Sequence, residues 1–379
     1  GSNGWVAEED ADSDVTWVDW SAPNPNFLVR IDQNEIHAYG WPVGISVTLT
    51  IDDPATPSPV DHIDTAEVIV APWDPAQTFA QFRPGSSAFT VTSGMVVTIG
   101  GAGMTKTTVV TQLRVTGVDP GADRVSGTTG PGGLVEVGPL CGPTGCALRR
   151  VTADGSGNWV ADFAMPGGPS AEEQRTWDIV PGESNEAREM DGDGDGTAFS
   201  WRAPNPVLVA HPDEDWVRAR DWWPGTVVTL SVDDPGNGPG TDYTVTSTVG
   251  ADSLAHIELS PWNLQPGQVV TVTGGGATRV LVVAWIRDFS AELDTDRAHG
   301  TGSPNAQSQV CATSPGGCLA RYVTADGSGH WTADFGVPGI PPEDPGIVDL
   351  VPGTVILVWE SDSDGDWTRA DWTIPSPVT

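Results

Sequence analysis

The chain is predicted to be all-β, a tandem array of immunoglobulin-like β-sandwich modules, and three observations carry that prediction. Val and Thr crowd into short segments bounded by Gly, Pro and Asp, the composition of half-buried strands separated by turns. With 46 glycines and 33 prolines in 379 residues, turns are frequent, and no segment sustains helical periodicity. The chain also repeats itself, so one packing solution is used more than once.

The repeat is ordered. "SAPNPNFLV…GWPVGISVTLTIDDP" from Ser21 returns as "RAPNPVLVA…WWPGTVVTLSVDDP" from Arg202, "GMVVTIGG" from Gly94 as "GQVVTVTGG" from Gly267, and "VTADGSGNWVADF" from Val151 as "VTADGSGHWTADF" from Val323. The unit is about 175 residues, too long for one small sandwich. It divides near "TGVDPGAD" and "DFSAELDTD", leaving about seven strand candidates in each half. In the first half these include "FLVRI", "SVTLTID" and "MVVTIGG"; in the second, "GLVEVG", "ALRRVTAD", "NWVADF" and "TWDIV". Expected boundaries are 1–20 for a terminal hairpin equivalent to the end of a preceding repeat, then sandwiches 21–115, 116–201, 202–287 and 288–372. Residues 373–379 read as the start of a next repeat or a tail.

The second half of each unit, "SGTTGPGGLVEV" followed by "VTADGSGNWVADF", resembles the bacterial Ig-like repeats of large secreted and surface proteins. The resemblance covers about half of each unit and is sharpest at the hairpin "DGSGNW"; "GTGSPNAQSQV" in the second unit departs from the Pro-Gly turn. It implies an extracellular β-sandwich scaffold, adhesive or spacing, and no chemistry.

A formal charge of −34, from 51 acidic and 17 basic residues, repels nucleic acid and anionic membrane. Lys106 is the sole lysine. Four cysteines fall in two close pairs, Cys141 with Cys146 and Cys311 with Cys318, each just ahead of a matching strand, so each is expected to close a hairpin as a disulfide. A shared zinc site would need both pairs to meet across modules. Disulfides place the chain in an oxidising, exported compartment. The longest apolar run, Val280 to Ile286, is far short of the ~20 residues a membrane span needs. The opening Gly-Ser reads as a cloning remnant or as the start of a mature chain.

One spacing occurs three times: E-x-D-x-D-x-D-x-T-x-x-x-W. Its copies are Glu8, Asp10, Asp12, Asp14, Thr16 and Trp20; Glu189, Asp191, Asp193, Asp195, Thr197 and Trp201; and Glu360, Asp362, Asp364, Asp366, Thr368 and Trp372. On an extended strand the carboxylates would stand ~7 Å apart and repel weakly. In a tight turn, as Gly192, Gly194, Gly196 and Gly365 favour, they converge and need a counter-charge. Calcium suits them, with the glutamate and a Thr197 carbonyl as further ligands. The spacing is not an EF-hand, because the twelfth position is Ser21, Arg202 or Thr373. The competing reading is a solvated acidic turn that keeps a sheet edge from pairing. Trp20, Trp201 and Trp372 are expected to pack in the core.

Seventeen tryptophans against three tyrosines raise a second possibility, sugar stacking on exposed indoles. Trp73, Trp222, Trp223, Trp262 and Trp367 are the candidates, against the bland alternative that sandwiches use tryptophan as a core plug, as expected of Trp159 and Trp331. The six histidines do not recur at equivalent places, and no HExxH, GxSxG or phosphate-loop spacing exists, so no enzyme is expected. The leading expectation is a calcium-stiffened, disulfide-stapled repeat segment of an extracellular bacterial surface protein: stalk, filament or adhesin scaffold. Its partners would be neighbouring repeats or copies of itself. The alternatives are a carbohydrate-binding array that contacts surface glycans and a filament subunit that exchanges its terminal hairpin.

Overall fold

A computed structural model describes residues 3–314 and 317–376; Gly1, Ser2 and the last three residues of the expected tail lie outside the described residues. The described residues are strands and turns, with one short 3₁₀ turn at Pro84–Ser87 and no α-helix. They divide into two units, Gly1–Ala203 and Pro204–Thr379.

Unit 1 opens with a hairpin, β1 (Asn3–Glu9) and β2 (Val15–Ser21), which forms a two-stranded sheet by itself. Its first sandwich, 1a, comprises β3 (Asn26–Arg30), β4 (Glu35–Tyr39), β5 (Ser46–Asp52), β6 (His62–Glu67), β7 (Ile69–Ala71), β8 (Asp74–Phe82), β9 (Val96–Gly101) and β10 (Met104–Val109). Sandwich 1b comprises β11 (Arg114–Asp119), β12 (Arg124–Thr128), β13 (Leu134–Gly142), β14 (Gly145–Thr152), β15 (Asn158–Asp162), β16 (Ser184–Met190) and β17 (Gly196–Arg202). No strand forms at "TWDIV", where Trp177 and Ile179 are fixed instead by isolated backbone bonds to Phe163 and the Asp123 side chain.

Unit 2 repeats the plan. Sandwich 2a holds β18 (Val207–His211), β19 (Trp216–Arg220), β20 (Val227–Asp233), β21 (Tyr243–Thr248), β22 (Leu254–Glu258), β23 (Val269–Gly274) and β24 (Ala277–Val282). Sandwich 2b holds β25 (Arg287–Glu292), β26 (Arg297–Thr301), β27 (Gln307–Ser314), β28 (Gly317–Thr324), β29 (His330–Asp334), β30 (Val355–Ser361) and β31 (Trp367–Thr373).

Alternation builds each core. Val47, Leu49 and Ile51 of β5 point inward against Phe27, Val29 and Ile36 of the facing sheet, and each is fully buried. Each such side chain contributes about 1.5–3 kcal/mol. Val310, Val358, Trp331 and Phe335 do the same in sandwich 2b. Both predicted core tryptophans after the "DGSG" turns, Trp159 and Trp331, are buried.

Within each unit the two sandwiches share a sheet. In unit 1 the order β14-β13-β16-β17-β3-β4-β8-β7 runs through both, closed in 1a by β10-β9-β5-β6 and in 1b by β11-β12-β15. Unit 2 joins β22-β19-β18 to β31-β30-β27-β28. The joining element is the hairpin that carries the acidic spacing: β16 pairs antiparallel with β13, while β17 pairs parallel with β3. The acidic hairpin therefore bridges the two sandwiches of its own unit, whereas its position in the chain points to the start of the next.

Candidate functional site: the acidic hairpins

All three acidic loops fold as the same turn. The first aspartate accepts the backbone N–H two and four residues on: Asp10 from Asp12 (3.3 Å) and Asp14 (3.1 Å), Asp191 from Asp193 (3.1 Å) and Asp195 (3.0 Å), Asp362 from Asp364 (3.2 Å) and Asp366 (2.9 Å). The fourth position takes a left-handed backbone: Ser13 at φ 72°, Gly194 at 91°, Gly365 at 90°. "DGSGNW" forms an identical turn, with Asp154 accepting from Ser156 (2.8 Å) and Asn158 (2.9 Å), and Gly157 at φ 84°. One aspartate thus suffices for the turn, and the second and third have other work.

The third aspartate anchors the tip on the neighbouring sandwich. Asp195, fully buried, accepts the Phe27 N–H of β3 at 3.0 Å; Asp366, also fully buried, accepts the Leu208 N–H of β18 at 2.7 Å. The second faces a basic side chain. Lys106 donates to Asp193 Oδ2 at 2.5 Å and stands 3.5 Å from Asp195 Oδ2, an oxygen without a hydrogen bond. Arg279 occupies that place in unit 2, its Nε 3.2 Å from both Asp366 oxygens, with its Nη2 on the Asp364 carbonyl. Burial pushes the Asp195 carboxyl up to about 6 against the opposing pull of Phe27 N–H and Lys106. Burial, helped by the Asp364 carboxylate, likewise lifts Asp362 to about 6.

The remaining positions also dock. Thr197 Oγ1 accepts the Thr111 N–H, and Thr368 Oγ1 the Ala284 N–H, both at 2.9 Å on the segment that links the two sandwiches. Glu189 reaches the Thr129 hydroxyl, and Glu360 Oε2 accepts the Ser303 N–H at 2.9 Å, each on a loop of the second sandwich. Trp201 is buried, and Trp372 stacks on Phe289 at 5.9 Å.

Each aspartate trio comes together, with ligand oxygens within 4.8 Å of one another. The glutamates Glu8, Glu189 and Glu360 are not in those groups, and Thr197, expected to offer its carbonyl, lies within β17, where its backbone is paired with Glu189 on one side and Val29 on the other. In two of the three trios a basic side chain faces the carboxylates, Lys106 in unit 1 and Arg279 in unit 2. Lys106, the only lysine in the sequence, is the signal that could have located the first. In the terminal hairpin Asp10, Asp12 and Asp14 are all exposed. There Trp20 is half exposed instead of packed, because no second sheet covers it.

Both cysteine pairs are disulfides across hairpins, Cys141–Cys146 in β13–β14 and Cys311–Cys318 in β27–β28, so no thiol is left for zinc. Of the five tryptophans singled out for sugar contact, Trp73 is 59% exposed; Trp222 is buried, and Trp223, Trp262 and Trp367 are partly buried. Trp73 sits edge-on to Phe79 at the rim of a cleft of about 750 Å³ that also presents Tyr39, His37, Gln77 and Arg188.

One cluster escaped the sequence reading. His211, Glu214 and Asp371 converge in unit 2; His211 is buried, neither ring nitrogen has a hydrogen bond, and its Nε2 lies 3.6 Å from Asp371 Oδ2. Burial works against ionisation of Asp371, but His211 and the forked contact of Arg369 (2.7 and 2.6 Å) hold its carboxyl at about 2. Unit 1 has Arg30 and Ser200 at the matching places, so no repeat signal marked it.

No family model matches the chain, and no curated protein does. Among solved structures it is similar to the tetra-tandem repeat in the extending region of a large adhesion protein, at 17% identity and TM-score 0.17, over 93% of this chain and 99% of that one. It is also similar to Escherichia coli alpha-2-macroglobulin (9%, TM-score 0.16, 97% of this chain and 31% of that one) and to Salmonella alpha-2-macroglobulin (10%, TM-score 0.17, 100% and 35%). At these values none of the three informs the function of this chain.

Proposed function

We propose that the chain is a non-catalytic, load-bearing repeat segment of an extracellular surface protein, and that each acidic hairpin is the clasp that makes two sandwiches one mechanical body. The observation that supports it is the shared sheet: β16–β17 and β30–β31 each hydrogen-bond to both sandwiches of their unit at once. Every position of the repeated spacing then has a task, either forming the turn, gripping the first sandwich, or gripping the second. Disulfides in both units fit an oxidising exterior, and the strong negative charge fits a solvated surface.

Calcium joins this reading at one place. Asp191, Asp193 and Asp195 leave a buried carboxylate oxygen without a hydrogen bond, and an ion there would compete with a single ammonium. In unit 2 the Arg279 guanidinium already covers both oxygens of Asp366. The test is calorimetry with and without calcium. Each unit is expected to unfold in one transition, and the Asp195→Ala, Lys106→Met double variant to split that of unit 1 into two. A wild-type unit 1 whose sandwiches already melt separately would sink the clasp. Calcium, if bound, should raise only the unit 1 transition.

A second reading rests on the cleft beside Trp73, where an exposed indole faces polar groups in the manner of a glycan platform. Saturable polysaccharide binding that disappears in Trp73→Ala would support it; unchanged binding would remove it.

A further inference from the structure

The terminal hairpin β1–β2 has the clasp's sequence, its turn and its register. Glu8 lies opposite Thr16, as Glu189 lies opposite Thr197 and Glu360 opposite Thr368. Yet every residue from Trp5 to Trp20 is exposed, and among the described residues neither edge pairs with another strand. Trp5 is 67% exposed, Trp17 71% and Val18 66%, an apolar load that a free hairpin does not retain without a partner. In unit 2 the positions of Val6, Val18 and Trp20 are Val358, Ala370 and Trp372, all in or against the core of 2b.

We propose that β1–β2 is the closing hairpin of another two-sandwich unit of this chain's own kind, one whose slot for such a hairpin is open. The proposal rests on the clasp reading above. Both slots in this chain already hold their own hairpins, so the free one requires a third unit. The seated copies define how it fits. In a slot like that of unit 2, Glu8 falls opposite Ser308 and Thr16 beside Ala210, while Asp14 accepts the N–H of Leu208. Gly4 makes room for the indole of Trp20: a Cβ there would stand 2.7 Å from its ring. A basic side chain placed like Arg279 meets Asp12 and Asp14, the acidic tip that has no cation of its own among the described residues.

The test uses the full chain with residues 204–354 added ahead of Asn3, which offers one open slot, and a control with residues 204–379 added, in which that slot is filled. Hydrogen exchange of the amides from Gly4 to Trp20 is expected to slow about a hundredfold in the open-slot chain and to stay fast in the control. Protection in both chains, or in neither, overturns the proposal. The amides of 184–202, read in the same experiment, report on the clasp within unit 1. Their protection alongside a free terminal hairpin would leave the clasp standing and remove only this inference.

Discussion

The hairpins at 3–21 and 184–202 share a spacing, a turn and a strand register, and differ in what surrounds them. In the second, Asp195 is gripped by the Phe27 N–H, Thr197 by the Thr111 N–H, and Trp201 is buried; in the first, Asp14, Thr16 and Trp20 face water. The turn is therefore a local property of the sequence, whereas the clasp is a property of two sandwiches presented at the right separation. Substitutions made in parallel at the two sites separate these contributions.

The largest difference is expected at the tryptophans. Trp201→Ala opens a cavity in sandwich 1b and should cost unit 1 about 3–5 kcal/mol in urea unfolding. Trp20→Ala removes an indole that touches no second sheet and should leave the same curve unmoved. Equal losses would mean that the terminal hairpin is already seated.

Next come the docking aspartates. Asp195→Ala leaves the buried Phe27 N–H without an acceptor, worth about 1–3 kcal/mol, and Asp14→Ala should be silent. The same residue carries a pH signature. Because the folded carboxyl of Asp195 titrates at about 6, above its ordinary value of 3.8, the unfolded chain releases this proton first. Its contribution to stability is present below pH 3.8 and falls as pH rises to about 6. Asp362 acts in the same sense over the same window in unit 2, while Asp371, at about 2, adds stability that is lost only as pH falls from 3.8 towards 2. Asp195→Asn keeps an acceptor for Phe27 and removes the charge, so the slope of unit 1 melting temperature between pH 4 and 6 should flatten by comparison with wild type. An unchanged slope would place the titration elsewhere.

How much of this could be read beforehand follows the range of the interactions. Period-two burial in "SVTLTID" and the core role of Trp159 depend on neighbours in sequence and on one facing sheet, and alternation exposes both. The acidic spacing was visible, but its meaning lay in Phe27, Lys106 and Thr111, the nearest of them more than 80 residues away, and a spacing carries no record of partners so far along the chain. Linear order does not show the clasp either, since the chain after Trp201 runs on into sandwich 2a while β17 turns back to pair with β3 of its own unit. The cluster at His211 is invisible for a different reason: it is a difference between the repeats, so no returning spacing marks it.

A smaller effect should appear at the turn. Gly194 sits at φ 91°, where a Cβ is disfavoured, so Gly194→Ala should destabilise unit 1 by about 1 kcal/mol or somewhat more. Ser13 already tolerates φ 72° in the free hairpin, and Ser13→Gly should change the amide exchange of residues 10–14 alone.

The smallest effect compares the two internal cations. Lys106 is a point charge that bonds Asp193 and leaves Asp195 Oδ2 without a hydrogen bond, whereas the planar fork of Arg279 reaches both oxygens of Asp366. Exchanging the residues tests whether that geometry matters or only the charge does. If it matters, Lys106→Arg should stabilise unit 1 by up to about 1 kcal/mol and Arg279→Lys should weaken unit 2 by a similar amount, both read by calorimetry. Lys106→Arg should also lower any calcium response of unit 1, because the oxygen an ion would take is then filled. Two silent exchanges would reduce the role of these side chains to charge balance, and the grip of each clasp would then reside in its backbone bonds and its third aspartate.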